Sequence, residues 1–120
     1  MSIQRFETGK RLSEAVAFNG IVYLTGQVAN DHCAPDIYLQ TQQTLASIDR
    51  LLEKNNSDKS RVLMATIYLT NMDTFGDMNR AWEEWVVPGA TPARATVEVS
   101  RLAGKEYGVE ISVTAAQRTT

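Results

Sequence analysis

Between Arg61 and Thr70 the chain reads RVLMATIYLT, a nearly continuous apolar run of strand length, rich in Val, Ile, Tyr and Thr. Such a run suits a central strand buried on both sides, ending at Asn71, and the rest of the chain must be arranged about it. Two segments of helical period flank it. Before it, Pro35 and Asp36 open a helix in which Ile37, Thr41, Leu45, Ile48 and Leu52 form one stripe and Gln40, Gln43, Ser47 and Arg50 the opposite face. That helix is expected to run to about Lys54 and stop at NNSDKS. After it, Asp73 or Thr74 caps a second helix whose Phe75, Met78, Trp82, Trp85 and Val86 recur at spacings of three and four until Pro88. The two tryptophans on this stripe are read as core packing.

The remaining segments alternate with period two. In EAVAFNGIVYLTGQ, Asn19-Gly20 separates strands at about 14–18 and 21–26, and both residues tolerate the positive φ of a two-residue hairpin. QVANDHCAPD is rich in turn formers and reads as irregular. Two further strands are expected at about 92–100 and 107–116, joined by RLAGKEYG. In TPARATVEVS, Ala93, Ala95, Val97 and Val99 share one face and Arg94, Thr96, Glu98 and Ser100 the other. In the last strand, Val109, Ile111, Val113 and Ala115 are apolar against Glu110, Ser112 and Thr114. The resulting class is α+β, a single domain whose two helices cover one face of a sheet. The uncovered face, expected to hold this mixture of Arg, Glu, Thr and Ser, is either wet or the seam of a symmetric oligomer.

Composition removes several function classes. The 120 residues carry 12 Lys and Arg against 14 Asp and Glu, with no basic cluster, which argues against nucleic acid as the main partner. No window approaches the ~18 apolar residues of a membrane span. The N-terminus MSIQRFETGKRLSEAV has no signal-peptide pattern, so the cytoplasm is the expected location. The lone Cys33 has no internal disulfide partner, and with His32 it falls short of a metal site. Ser13, Ser47 and Ser57 lack a histidine at any recognisable spacing.

If the two C-terminal strands close as an antiparallel pair near Gly104, Arg94 stands opposite Glu110 or Ser112 on the polar face. Two readings follow. One is a cross-strand ion pair; the other is a guanidinium fork that grips a ligand carboxylate and leaves Glu110 free to handle protons.

YLTGQVA after a hairpin, MNRAWEEWV in the second helix, PARATVEVSRLA and the final VEI together resemble the Rid (YjgF) family of imine deaminases, nearer its YoaB-like branch. The resemblance implies a chorismate-mutase-like fold, a mixed sheet with two helices on one face, assembled as a homotrimer with sheets facing the centre and clefts between adjacent subunits. It implies that Arg94 binds the substrate carboxylate and that Glu110 positions or activates the hydrolytic water. It also implies that Thr25 and Asn79 line the cleft, with Gly26 close to the ligand. Asn79, four residues after Phe75, flanks the apolar stripe, where a polar side chain needs a partner. Two positions depart from the founding branch: Leu12 stands where it carries an aromatic residue and Thr96 where a cysteine is frequent, and both alter the cleft wall.

The implied reaction takes a 2-imino acid, such as 2-iminobutanoate or 2-iminopropanoate, to a 2-keto acid and ammonia with no metal or organic cofactor. A non-catalytic trimeric module binding small carboxylates or client proteins is the alternative. A ribonuclease reading sits poorly with the acidic balance.

Overall fold

A computed structural model describes residues 2–30 and 34–119, so the readings of His32 and Cys33 lie outside the described residues. The chain forms β1 (Gln4–Thr8), β2 (Ser13–Phe18), β3 (Ile21–Leu24), α1 (Ile37–Lys54), β4 (Val62–Leu69), α2 (Phe75–Trp85), β5 (Ala93–Glu98) and β6 (Val109–Ala116). The strands make one mixed sheet in the order β1-β2-β3-β6-β4-β5. No helix among the described residues is long and apolar enough to cross a membrane.

Local chemistry explains most boundaries. Asn19 and Gly20 adopt φ of 56° and 81°, the left-handed pair that closes β2 onto β3. Asp36 caps α1 by accepting from the Tyr38 N–H at 2.7 Å. Ahead of α2, the Asn71 side chain accepts from the Asp73 N–H at 3.0 Å and opens a short 3-10 turn. Thr74 therefore makes no capping bond to α2; its hydroxyl donates to the Asn71 carbonyl at 2.6 Å.

Both helices pack on one face of the sheet. Leu45, Ile48 and Leu52 of α1 and Met78, Trp82 and Trp85 of α2 join Ala65, Ile67 and Leu69 of β4 and Val109, Ile111 and Val113 of β6 in one buried cluster. The tryptophans are core residues, as their spacing implied. Trp85 satisfies its indole N–H on the Asp49 carboxylate at 3.0 Å and 3.1 Å.

Four expectations are corrected. First, β4 is central but buried on only one side: Val62, Ala65, Ile67 and Leu69 face the helices, whereas Leu63 and Met64 are 49% and 39% exposed. Two helices cannot cover both faces. Second, β5 and β6 are not neighbours, because β4 lies between them, parallel to β5 and antiparallel to β6. Third, Gln40 points inward at 2% exposure. Its Nε2 donates to the carbonyls of Ala34 at 2.7 Å and Glu106 at 3.3 Å, and its Oε1 accepts from the Gly108 N–H at 2.9 Å. This buried amide ties α1 to the loop that enters β6. Fourth, the sheet has six strands where the sequence pattern predicts five: residues 4–8 form the edge strand β1, antiparallel to β2.

The uncovered face is less polar than expected. One row across the ladder reads Val16, Tyr23, Thr114, Met64 and Ala93. A second holds Ser112, Thr66 and Ala95, and a third Glu110, Tyr68 and Val97. Tyr23 and Val97 are 50% and 41% exposed there. The apolar alternation of β5 faces away from the helices, and its polar alternation faces towards them.

Candidate functional site

Register decides the geometry of the site. Arg94 pairs with the buried Ala65, so it shares the helix-covered face; Glu110 pairs with Tyr68 on the uncovered face. The two side chains therefore leave the sheet in opposite directions. They are also three ladder positions apart, about 10 Å along the strand axis, and separated by β4. The expected cross-strand pair of Arg94 with Glu110 or Ser112 does not form within one chain.

Arg94 instead sits in a cradle built by α2. Its Nη1 donates to Asn79 Oδ1 at 2.7 Å. Its Cζ lies 5.4 Å from the Trp82 ring centroid and 5.7 Å from that of Phe75. These three residues recur at spacings of four and three, one helix face. Among the described residues no carboxylate lies within ion-pair distance of Arg94. Burial lowers its pKa and Glu83 partly offsets this, but a guanidinium stays charged at any physiological pH. Two residues further on β5, Thr96 pairs with Ile67 on the same face, and its Oγ1 is buried without a hydrogen-bond partner. Here a rigid cation and an unsatisfied hydroxyl share one edge of the sheet. Asn79 was marked from the sequence, whereas Phe75 and Trp82 were read only as core. Their signal was the pair of aromatics four residues before and three after a polar residue on a helix stripe.

The second cluster surrounds Glu110. The chain beyond β3 continues beside β6, with Gln27 and Ile111 exchanging backbone hydrogen bonds at 2.8 Å and 3.0 Å. This carries Gly26 against Glu110: a Cβ there would collide with Oε2 and stand 2.8 Å from Cδ. Gly26 is needed for space beside the carboxylate, since no positive φ is required of it. Thr25, whose N–H donates to the Glu14 carbonyl at 3.0 Å, is half-buried next to it. Gln27 holds the segment, its Nε2 donating at 3.2 Å both to Glu14 Oε1 and to the Thr25 carbonyl. Burial alone raises the Glu110 pKa. Among the described residues no cation of the same chain opposes that shift. Leu12, on the β1–β2 connection, is 51% exposed, and its carbonyl accepts from the Gly9 N–H at 2.8 Å.

The marked residues thus fall into two groups, Arg94 with Asn79 and Thr96 on the helix side and Glu110 with Thr25 and Gly26 on the uncovered side. A hollow of about 480 Å³ at the hairpin end, lined by Gln4, Phe18, Asn19 and Gln117, includes neither group.

Comparison with known proteins gives this arrangement a family. The model of the Endoribonuclease L-PSP family matches residues 2–117. The chain is 52% identical over 114 residues to a RutC family protein of Haemophilus ducreyi, covering 95% of this chain and 96% of that one. It is 43% identical over 116 residues to the RutC family protein YoaB of Escherichia coli, covering 97% and 99%. A crystal structure of NMB1025, a YjgF-family member from Neisseria meningitidis, superposes with a TM-score of 0.96 at 46% identity, covering 100% of this chain and 98% of that one. The chain belongs to the Rid (YjgF) family. The mixed six-stranded sheet with two helices is the Rid fold that the sequence motifs implied. The PAR and VEI motifs of this Rid chain stand on β5 and β6, with β4 between them.

Proposed function

We propose that the protein is a homotrimeric, cytoplasmic hydrolase that converts 2-imino acids, such as 2-iminobutanoate or 2-iminopropanoate, to 2-keto acids and ammonia. The observation that carries this reading is Arg94: a part-buried guanidinium oriented by Asn79 and two aromatic rings, with no carboxylate within ion-pair distance among the described residues. A cation held so rigidly and left unpaired is ready to accept a ligand carboxylate through two of its donors.

Because Arg94 and Glu110 leave the sheet on opposite faces, one ligand can meet both only where two copies come together. The uncovered sheet face, apolar around Tyr23, Met64 and Val97, supplies a surface for that association. In the resulting cleft Arg94 of one copy holds the carboxylate of the imino acid, and Thr96, two residues further along β5, belongs to the cleft wall beside it. Glu110 of the neighbour, with Thr25 and Gly26 beside it and Leu12 towards the rim, faces the C=N carbon.

The chemistry is balanced by one water. Glu110 accepts a proton as the water oxygen bonds to C2, and the imine nitrogen takes up the electron pair of the C=N bond. That nitrogen takes the proton back from Glu110 and becomes an amine; the C2 hydroxyl then passes its proton through Glu110 to the amine, the C–N bond breaks, and ammonia leaves as the C2 oxygen closes the ketone. Burial suits Glu110 to this cycle, since a raised pKa makes the carboxyl a competent acid as well as a base. No metal or organic cofactor is asked for. The family model carries the name endoribonuclease, but a chain of net charge −2 gives RNA no electrostatic footprint.

The test generates 2-iminopropanoate in situ and follows pyruvate release. Acceleration over buffer by the wild type, lost in both Arg94→Ala and Glu110→Gln, is expected. Turnover that survives in either variant, or a wild type that never exceeds buffer with any imino acid, overturns the proposal.

A further inference from the structure

On the outer surface, away from Arg94 and Glu110, α1 and α2 leave a cleft of about 240 Å³ between them. Its lining combines the apolar Leu45, Ala81 and Trp85 with the charged Asp49, Glu84 and Lys59. Asp49 is half-buried, yet among the described residues its side chain accepts from the Trp85 indole N–H alone, shared between its two oxygens. An ionised carboxylate has room for about four hydrogen bonds, so most of its acceptor capacity is open to the cleft. Among the described residues no ion pair relieves it: Lys59 Nζ is held over the Trp85 ring at 6.0 Å from the centroid rather than on the carboxylate. Burial accordingly raises the Asp49 pKa, with the indole and Lys59 only partly opposing it.

A half-buried anion with spare acceptor capacity, beside the face of an indole and an apolar wall, is the chemistry that recognises an organic cation. We infer that this cleft is a second binding site, one that takes a small primary amine or guanidine carried on a short apolar stem. The cationic head donates to Asp49 and stacks on Trp85; the stem lies on Leu45 and Ala81. The charges of the lining favour a cation over a zwitterion. Asp49 and Glu84 outnumber Lys59, while Glu53 and Asp58 of the adjoining hollow are taken up by Arg118 at 3.1 Å each. The Glu84 carboxylate, another lining group, already accepts from the Tyr38 hydroxyl at 2.5 Å. At this volume the site suits a free metabolite-sized amine, smaller than the ligands of ordinary drug-sized pockets.

The probes are 3-methylbutylamine, its neutral counterpart 3-methylbutanol, and leucine as a zwitterion of the same stem. Each is titrated into the ¹⁵N-labelled protein while the Trp85 indole N–H resonance is followed. The amine is expected to shift it saturably, the alcohol at least tenfold more weakly, and leucine more weakly than the amine. Asp49→Asn, which keeps an oxygen for the indole, is expected to abolish the amine response, and Lys59→Met, which removes a like charge, to tighten it several-fold. Equal binding of amine and alcohol, an Asp49→Asn protein that binds the amine as well as wild type, or a Lys59→Met protein that binds it more weakly overturns the inference. Saturation of the imine-hydrolysis site plays no part in these readouts.

Discussion

If each cleft takes Arg94 from one copy and Glu110 from the next, two inactive proteins must rescue one another when their subunits exchange. In an Arg94→Ala chain Glu110 is intact, and in a Glu110→Gln chain Arg94 is intact. In a closed ring assembled at random from an equal mixture, a cleft works only when its Arg94 side comes from the second variant and its Glu110 side from the first. Each condition holds half the time, so about one quarter of the clefts regain both groups. The control mixes wild type with the double variant: shared clefts again give about one quarter of wild-type activity per chain, whereas clefts built within one chain give about one half. The subunits are exchanged by dilution from urea, mixed oligomers are verified by native mass spectrometry, and release of 2-keto acid is measured. The opposite faces assigned to Ala65-paired Arg94 and Tyr68-paired Glu110 make the rescue obligatory. A mixture of verified hetero-oligomers no more active than its parents, with the control at one half, refutes the shared cleft.

Three further outcomes follow from particular contacts. Gly26→Ala drives a Cβ into the Glu110 carboxylate, whose free end can swing into the open face, so activity should fall at least tenfold while urea unfolding shows a loss of about 1 kcal/mol or less. Gln40→Leu strands the Gly108 N–H and the Ala34 and Glu106 carbonyls, and urea denaturation should report a loss of about 2–4 kcal/mol; a loss under about 0.5 kcal/mol would mean the amide clip does not hold the β6 entrance. Asp49 has its folded-state pKa raised from 3.8, so the folded chain binds the proton more tightly than the unfolded one. Its contribution is therefore most favourable below 3.8 and declines as pH rises through the folded-state value. Asp49→Asn should accordingly be at least as stable as wild type at pH 7, with that advantage shrinking towards pH 3, as followed by thermal unfolding; an advantage that grows on acidification would contradict the sign.

How much of this was legible in the residues depends on what kind of information each feature carries. The hairpin at Asn19-Gly20 and the cap at Asp36 are local, and local backbone chemistry places them. Strand adjacency is not local. RVLMATIYLT announces a central strand, but alternation along β5 and β6 is equally consistent with pairing to each other or to β4 on either side. The inward polar face of β5 was illegible for a related reason: period two says which residues share a face without saying which face meets the helices. Here Ala93, Ala95 and Val97 face outward, while Arg94 is accommodated beneath α2 by the Asn79 amide and two aromatic rings, and Glu98 accepts from the Met72 N–H at 2.7 Å. The helix side of β5 can be polar because α2 brings Asn79 to Arg94 and the 3-10 turn ahead of α2 brings the Met72 N–H to Glu98. The outer side is apolar around Tyr23, Met64 and Val97, and the proposed association of copies would cover it while bringing Glu110 of one copy near the Arg94 of the next.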